Sequence, residues 1–195
     1  MIENKYTMKD SLFPVVEVPA RVTSKLPHRD TKDTGYKFVM REDTGQILSC
    51  MTNSYKTISN DDIMNKATPI LKEKGAVLTD VRIFGDGART KWTYRLNDTK
   101  VKVDKDDYLN PEVTITNSYD GSSEASAHGG AFRLVCLNGM TIGYALSKQG
   151  HKHTIWNKTG EIDRLINNVI NNTLKVFDND FPMMIEKEVN KKHIG

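Results

Sequence analysis

Hydrophobic positions change their spacing several times along the chain, and each change marks an element. Val15, Val16 and Val18 lie between Pro14 and Pro19, with Pro27 beyond, which predicts an edge-like or irregular stretch because proline cannot donate to a strand ladder. Tyr36 to Met40 and Ile47 to Cys50 flank the turn residues Asp43-Thr44-Gly45, the pattern of a hairpin. Ser59 followed three residues later by Asp62 marks a helix start, after which Ile63, Ala67, Ile70 and Leu71 keep helical spacing up to Gly75. Pro69 inside that run predicts a kink. Val77, Thr79, Val81 and Ile83 then alternate with Leu78, Asp80, Arg82 and Phe84, Gly85-Asp86-Gly87 turns the chain, and Trp92, Tyr94 and Leu96 alternate with Lys91, Thr93 and Arg95. Val101 with Val103 and Val113 with Ile115 predict two further strands. The near-continuous apolar run from Phe132 to Leu137 reads as a strand buried on both faces. Ile162, Leu165, Ile166, Val169, Ile170, Leu174 and Phe177 recur at threes and fours, with Thr159 to cap and Glu161 and Asp163 suited to the positive end of the helix dipole. Pro182 interrupts, and Met183 to Lys192 predicts a short last helix.

Together these elements predict a single α+β domain over residues 1–195: a curved antiparallel sheet with a kinked helix near 60–74 and a long C-terminal helix packed on one face. At 195 residues, 37% hydrophobic and 27% charged, the chain has enough apolar material for a core without disulfide staples. No apolar run approaches the roughly 20 residues of a membrane span, and residues 1–10 show no leader pattern, so no membrane association and a cytoplasmic location are expected. Cys50 and Cys136, each in an apolar context, read as separate buried thiols, and no Cys-x-x-Cys pair is present to hold zinc. One short echo occurs, Thr52-Asn53-Ser54-Tyr55 against Thr116-Asn117-Ser118-Tyr119, too short to establish a duplication.

Charge reverses sharply in the second half. Asp98 to Glu124 holds seven acids and three lysines, whereas residues 125–160 hold no acid but Arg133, Lys148, Lys152 and Lys158 with His128, His151 and His153. Phe132, Tyr144 and Trp156 are interleaved. Cations not neutralised by nearby acids suit phosphates, and flat apolar rings suit bases. The predicted hairpin adds a basic bias through Arg82, Arg89, Lys91 and Arg95. Asn117-Ser118-Tyr119-Asp120-Gly121-Ser122-Ser123 is a polar loop after a strand, with hydroxyls and backbone N–H groups able to cradle a phosphate, although turn chemistry alone also explains it. In that loop Asp120 opposes an anion unless a cation intervenes or it pairs with Arg133. His151 and His153 fall on one side of an extended strand and, with Asp120, form an imaginable metal set. Walker A, nucleophile-elbow, HExxH and dinucleotide signatures are absent from the sequence.

These stretches resemble the phage/plasmid-like "domain of unknown function 932" family. The matching words are Arg41-Glu42-Asp43-Thr44-Gly45 with Leu48, then Tyr55, Ile58-Ser59-Asn60, Gly87-Ala88-Arg89 leading into Trp92, Thr116 to Ser123, Arg133-Leu134-Val135-Cys136-Leu137-Asn138, and His153-Thr154. The resemblance runs from about Val15 to Leu174, and the chain departs by carrying Tyr119 where the family usually has a histidine. It implies a setting of mobile elements, cytoplasm, and genes of replication, recombination or counter-defence, and a family-motif site at Asn117, Asp120, Ser122, Ser123, Asn138 and His153. The order of sheet, basic hairpin and long helices is similar to that of the ring-forming annealing proteins of phages. The expectation is therefore a non-enzymatic protein that binds nucleic acid, single-stranded DNA in particular, or anneals strands, through Arg82, Arg89, Lys91, Arg95, Arg133, Lys148, Lys152 and Lys158. It is expected to need no cofactor or metal and to form a homo-oligomer through residues 10–20. The alternatives are a metal-dependent phosphoesterase or nucleotide-handling enzyme using Asp120, His151 and His153 with Arg133 on the phosphate, and an antagonist of a host defence protein.

Overall fold

A computed structural model describes residues 6–22, 32–96, 101–104, 107–123, 125–134, 141–151, 164 and 166–175, with the backbone alone at 32, 101–104, 107–109, 131–134 and 141–151. The chain is mixed α+β, and its strands form two open antiparallel sheets where the sequence pattern predicted one. The first sheet holds β1 (Val15–Val22), β2 (Lys32–Arg41) and β3 (Ile47–Thr52) in that order. The second holds β4 (Ala76–Phe84), β5 (Arg89–Leu96), β7 (Asp107–Ser118), β8 (Ala125–Leu134) and β9 (Thr141–His151) side by side, with the short β6 (Val101–Asp104) against one end of β7. The proline-flanked segment is thus a real edge strand: β1 folds back on β2, and its register slips between Pro19 and Arg21. A bulge beside a proline is the usual way an edge tolerates the missing donor.

Two helices are capped as their sequences dictate. In α1 (Met8–Ser11), Thr7 and Asp10 cap each other reciprocally, the Thr7 N–H donating to Asp10 Oδ2 at 2.7 Å. In α2 (Asn60–Glu73), the Asp62 N–H donates to Ser59 Oγ at 2.9 Å, Pro69 lies inside the helix, and Gly75 leaves it with φ 65°. The backbone at 164 and 166–175 is also helical. Phe177, Pro182 and the predicted helix from Met183 to Lys192 lie outside the described residues.

Helices cover one face of the six-stranded sheet. Trp92, Tyr94, Leu96, Val113, Ile115, Ala125 and Ala127 pack with Ile63, Met64, Ala67 and Leu71 of α2 and with Ile166, Val169 and Ile170. Strand alternation therefore assigns the opposite face to the polar partners of these residues. A smaller core of Phe13, Val39, Tyr55 and Tyr119 joins the two sheets. There Ser49 Oγ donates to the Tyr119 carbonyl at 2.6 Å and Tyr55 Oη to the Ser118 carbonyl at 3.2 Å. Gly87, at φ 115°, is needed at this junction because a β-carbon would stand 2.7 Å from the Phe13 ring.

Bulges account for two departures from simple alternation. The β4–β5 register shifts between Leu78 and Asp80, so Leu78 packs on the helix side with Val81, while Val77 is 50% exposed. The register between β2 and β3 also shifts, and Cys50 lies opposite Phe38 on the side away from Val39. Cys50 is consequently exposed rather than buried, and Cys136 lies outside the described residues. The β8 backbone begins well before the predicted Phe132 start and is described as far as Leu134.

Candidate nucleic-acid interface

The hairpin β4–β5 brings the four predicted cations to one face. Arg89, Lys91 and Arg95 follow the two-residue period of β5, and Arg82 is paired directly across from Lys91. Trp92, Tyr94 and Leu96 occupy the other parity and are buried under the helices, which turns the cations the opposite way. Arg82 and Arg89 sit near the turn end beside Phe84, itself 43% exposed, with the Arg89 guanidinium 5.7 Å from the Phe84 ring centre.

Acids temper this bias. Arg82 Nε meets Asp80 Oδ2 at 2.6 Å, Arg95 meets Glu112 Oε1 at 2.9 Å, and Arg89 Nε lies a loose 3.9 Å from Asp120 Oδ2. Lys91, half-buried, forms no ion pair among the described residues. The exposed Arg82–Asp80 and Arg89–Asp120 pairs are each worth about 0–1 kcal/mol, so a phosphate can compete for those two cations, whereas the Glu112 that holds Arg95 is buried.

Across the sheet the same face continues in rows. Lys91 lies opposite Thr116 and Thr116 opposite Ser126; Thr93 lies opposite Thr114, Thr114 opposite His128, and His128 opposite position 148 on β9. Thr116 Oγ1 and Ser126 Oγ are 2.7 Å apart, and Ser126 Oγ is 2.9 Å from His128 Nε2. Sequence reasoning did not assemble this row. Its signal was present in the alternation of Thr114 and Thr116 with Val113 and Ile115, but its partners lie on another strand.

Of the other predicted site residues, the backbone places position 148 on this face and position 133 on the other. Position 133 shares the strand parity of Ala125 and Ala127, opposite to that of Arg89 and Lys91, and Asp120 pairs with Arg89 rather than Arg133. Asn138, Lys152, His153 and Lys158 lie outside the described residues, and His151 and Lys148 are described through the backbone alone. Among the described residues, no three of His, Cys, Asp and Glu gather as metal ligands.

Asn117 and the loop after it are built into the fold. Asn117 is buried, and its Nδ2 donates to the Ile58 carbonyl at 3.0 Å and to Asn60 Oδ1 at 2.8 Å. Asn60 donates in turn to the Ser11 carbonyl, and Tyr119 Oη accepts from the Asn60 N–H at 2.8 Å. Burial pushes the Tyr119 hydroxyl well above the usual tyrosine range. The loop closes on itself: Ser122 N–H donates to Asp120 Oδ1 at 2.9 Å, Ser118 Oγ donates to the Ser123 carbonyl at 2.7 Å, and Gly121 adopts φ 69°.

A groove of about 1250 Å³ runs between α1, the β2–β3 turn and the Gly85–Gly87 turn, lined among others by Lys9, Phe13, Arg41, Asp43 and Asp86. Its arginine is committed: Arg41 donates to both Asp43 oxygens and to the Asp86 carbonyl, and it lies 3.9 Å over the Phe13 ring. The Asp43 hydrogen bonds hold Arg41 above, and Asp43 below, their ordinary values.

No curated protein and no solved structure matches the chain. The sequence profile of one family, described as a domain of unknown function (DUF932), matches residues 47–194, beginning at β3 rather than at Val15. That stretch holds the whole six-stranded sheet and most of the chain's length, so the chain belongs to the DUF932 family.

Proposed function

We propose that this chain binds single-stranded nucleic acid, DNA in particular, across the polar face of the six-stranded sheet. The observation that carries the reading is the gathering of Arg82, Arg89, Lys91 and Arg95 on one face beside the exposed Phe84 ring, while helices fill the other face. Cations along a groove or face track the phosphates, and an accessible ring offers a surface on which a base can stack. The reading extends to strand annealing in a mobile-element setting in the host cytoplasm, with the helical residues 166–175 belonging to a long C-terminal helix that backs the sheet. Fluorescence anisotropy with a labelled oligothymidine, titrated at several salt concentrations, tests it. The expected result is binding that weakens linearly on a log–log salt plot, by a smaller slope when Arg89 and Lys91 are both changed to Ala. Absence of binding at low salt overturns the reading.

We also propose self-association through the three-stranded sheet. Val16, Val18, Tyr36, Phe38, Met40 and Ile47 share the face opposite Val39, and Val18, Tyr36 and Ile47 are among the exposed large apolar side chains. Both β1 and β3 are edge strands, which in stable proteins are blocked or paired. Light scattering at micromolar concentration should give a mass above one chain, reduced by Val18→Lys with Ile47→Lys; a monomeric intact protein removes the proposal.

A further inference from the structure

We propose that Lys91, Thr116, Ser126 and His128 form a single phosphate-binding subsite, which deepens the nucleic-acid reading of the same face and rests on it for the identity of the natural ligand. Directly opposed residues on antiparallel strands have β-carbons about 4.5–5.5 Å apart, so Lys91, Thr116 and Ser126 form one continuous row across three strands. His128 joins it through Ser126. The row is polar where the opposite face is apolar, and Ser126 is buried.

Proton counting shows what this row can do. Thr116 Oγ1, Ser126 Oγ and His128 Nε2 make two links, and the two hydroxyls own one proton each. When Nε2 is a bare acceptor, Ser126 donates to it and Thr116 donates to Ser126, so both protons are consumed. When Nε2 carries a proton, the imidazole fills the first link, Ser126 donates to Thr116, and the Thr116 proton is left over. That donor belongs to the residue directly opposite Lys91. An anion there receives one charged and one neutral hydrogen bond, and its presence selects the polarity that frees the Thr116 proton.

Electrostatics favour the same point. Arg82 faces Lys91 directly across the hairpin, a like-charge pair that is unfavourable without an anion. Arg82 is engaged by Asp80, whereas Lys91 has no acid partner among the described residues. A phosphate, with several oxygens able to accept at once, matches one ammonium and one hydroxyl carried by directly opposed residues. The phosphate can be an internal diester, a strand terminus or the free ion.

The test measures three probes: an oligothymidine ending in a 5′-hydroxyl, the same strand with a 5′-phosphate, and inorganic phosphate. The proteins are wild type, Lys91→Ala, Thr116→Val, Thr116→Ser, and Lys72→Ala as a charge control on α2. Expected are roughly tenfold weaker strand binding by Lys91→Ala and Thr116→Val, recovery in Thr116→Ser, no change in Lys72→Ala, and a salt slope smaller by about one in Lys91→Ala. Preference for the 5′-phosphate identifies a terminus, equal binding of both strands an internal diester. Wild-type strand affinity in both Lys91→Ala and Thr116→Val overturns the subsite while leaving the interface reading standing. If no strand binds but inorganic phosphate does, and Thr116→Val abolishes that, the interface reading falls and the subsite stands as a free-ion site.

Discussion

Replacing Gly129 by Ala asks which face of the sheet is covered. Gly129 on β8 has an ordinary backbone, so nothing in its φ forbids a side chain. A β-carbon there would penetrate Thr173 Oγ1 and stand 2.8 Å from the Thr173 β-carbon and 3.0 Å from its Cγ2. Thr173 cannot swing aside freely, because it is fully buried and its hydroxyl donates to the Val169 carbonyl at 2.7 Å. The helical segment must move instead. Overpacking a core by one carbon costs about 1–3 kcal/mol, and a clash with every side-chain heavy atom of a buried β-branched residue belongs at the upper end. Removing a glycine from the unfolded chain returns about 0.4–1 kcal/mol, leaving a net loss of about 2 kcal/mol. For a chain of this size that lowers Tm by about 4–8 °C. Circular dichroism melts of wild type, Gly129→Ala, Thr173→Ala and the double variant form a cycle in which Gly129→Ala should cost less once Thr173 is trimmed. A Tm that is unchanged or raised by Gly129→Ala, or an equal cost in both backgrounds, refutes helix-on-Gly129 packing, and with it the placing of the helical residues on the face opposite the cations.

Three further outcomes follow from buried or paired polar groups. Ser11→Ala removes the acceptor for the buried Trp92 indole N–H, 2.8 Å from Ser11 Oγ, and should cost about 1–3 kcal/mol in denaturant unfolding; an unchanged midpoint rules the bond out. Tyr119→Phe strips the acceptor from the buried Asn60 N–H and should destabilise by a similar amount, with melting temperature as the check. Glu17 is raised by burial, but hydrogen bonds from Lys37 and Thr57 outweigh this and hold its carboxyl below the ordinary range. Its contribution is therefore complete above the usual glutamate range and is lost as pH falls through the lowered folded value. The Tm gap between wild type and Glu17→Gln should be widest near neutral pH and close in acid; a gap independent of pH contradicts the pairing.

Period-two alternation made the hairpin legible in the sequence, and with it the common face of Arg89, Lys91 and Arg95, because a regular strand needs only local spacing to sort its sides. The Ser59–Asp62 cap was legible for the same reason. What local spacing could not carry was anything that depends on a partner strand. The bulge at Thr79 exchanged Val77 for Leu78 in the core, and the register of β3 put Cys50 outside. The acids that temper Arg89 and Arg95 come from a loop and a strand 31 and 17 residues further along the chain, so the hairpin read as more basic than its surroundings make it. The division into two sheets was hidden too, since the junction depends on Phe13, Tyr55 and Tyr119, three aromatic residues far apart in sequence.

Asp120 separates the structural and functional roles of the loop after β7. Its two oxygens do different work: Oδ1 accepts from the Ser122 N–H and holds the turn, while Oδ2 stands 3.9 Å from Arg89 Nε. Asparagine keeps the first contact, since its side-chain carbonyl supports the same turn, and removes the charge that makes the second. Asp120→Asn should therefore leave Tm within a degree or two. It should also release Arg89 toward solvent at the edge of the cationic face. An ion pair this long and exposed is worth at most about 1 kcal/mol, so strand affinity should rise by no more than about fivefold, with a steeper salt dependence. A catalytic or metal-ligating carboxylate predicts the opposite, because the same substitution would remove the group that does the chemistry. Anisotropy titrations of wild type and Asp120→Asn at matched salt decide the matter: weaker binding in the variant, with the melt unchanged, would show that Asp120 contributes to the ligand rather than restraining Arg89.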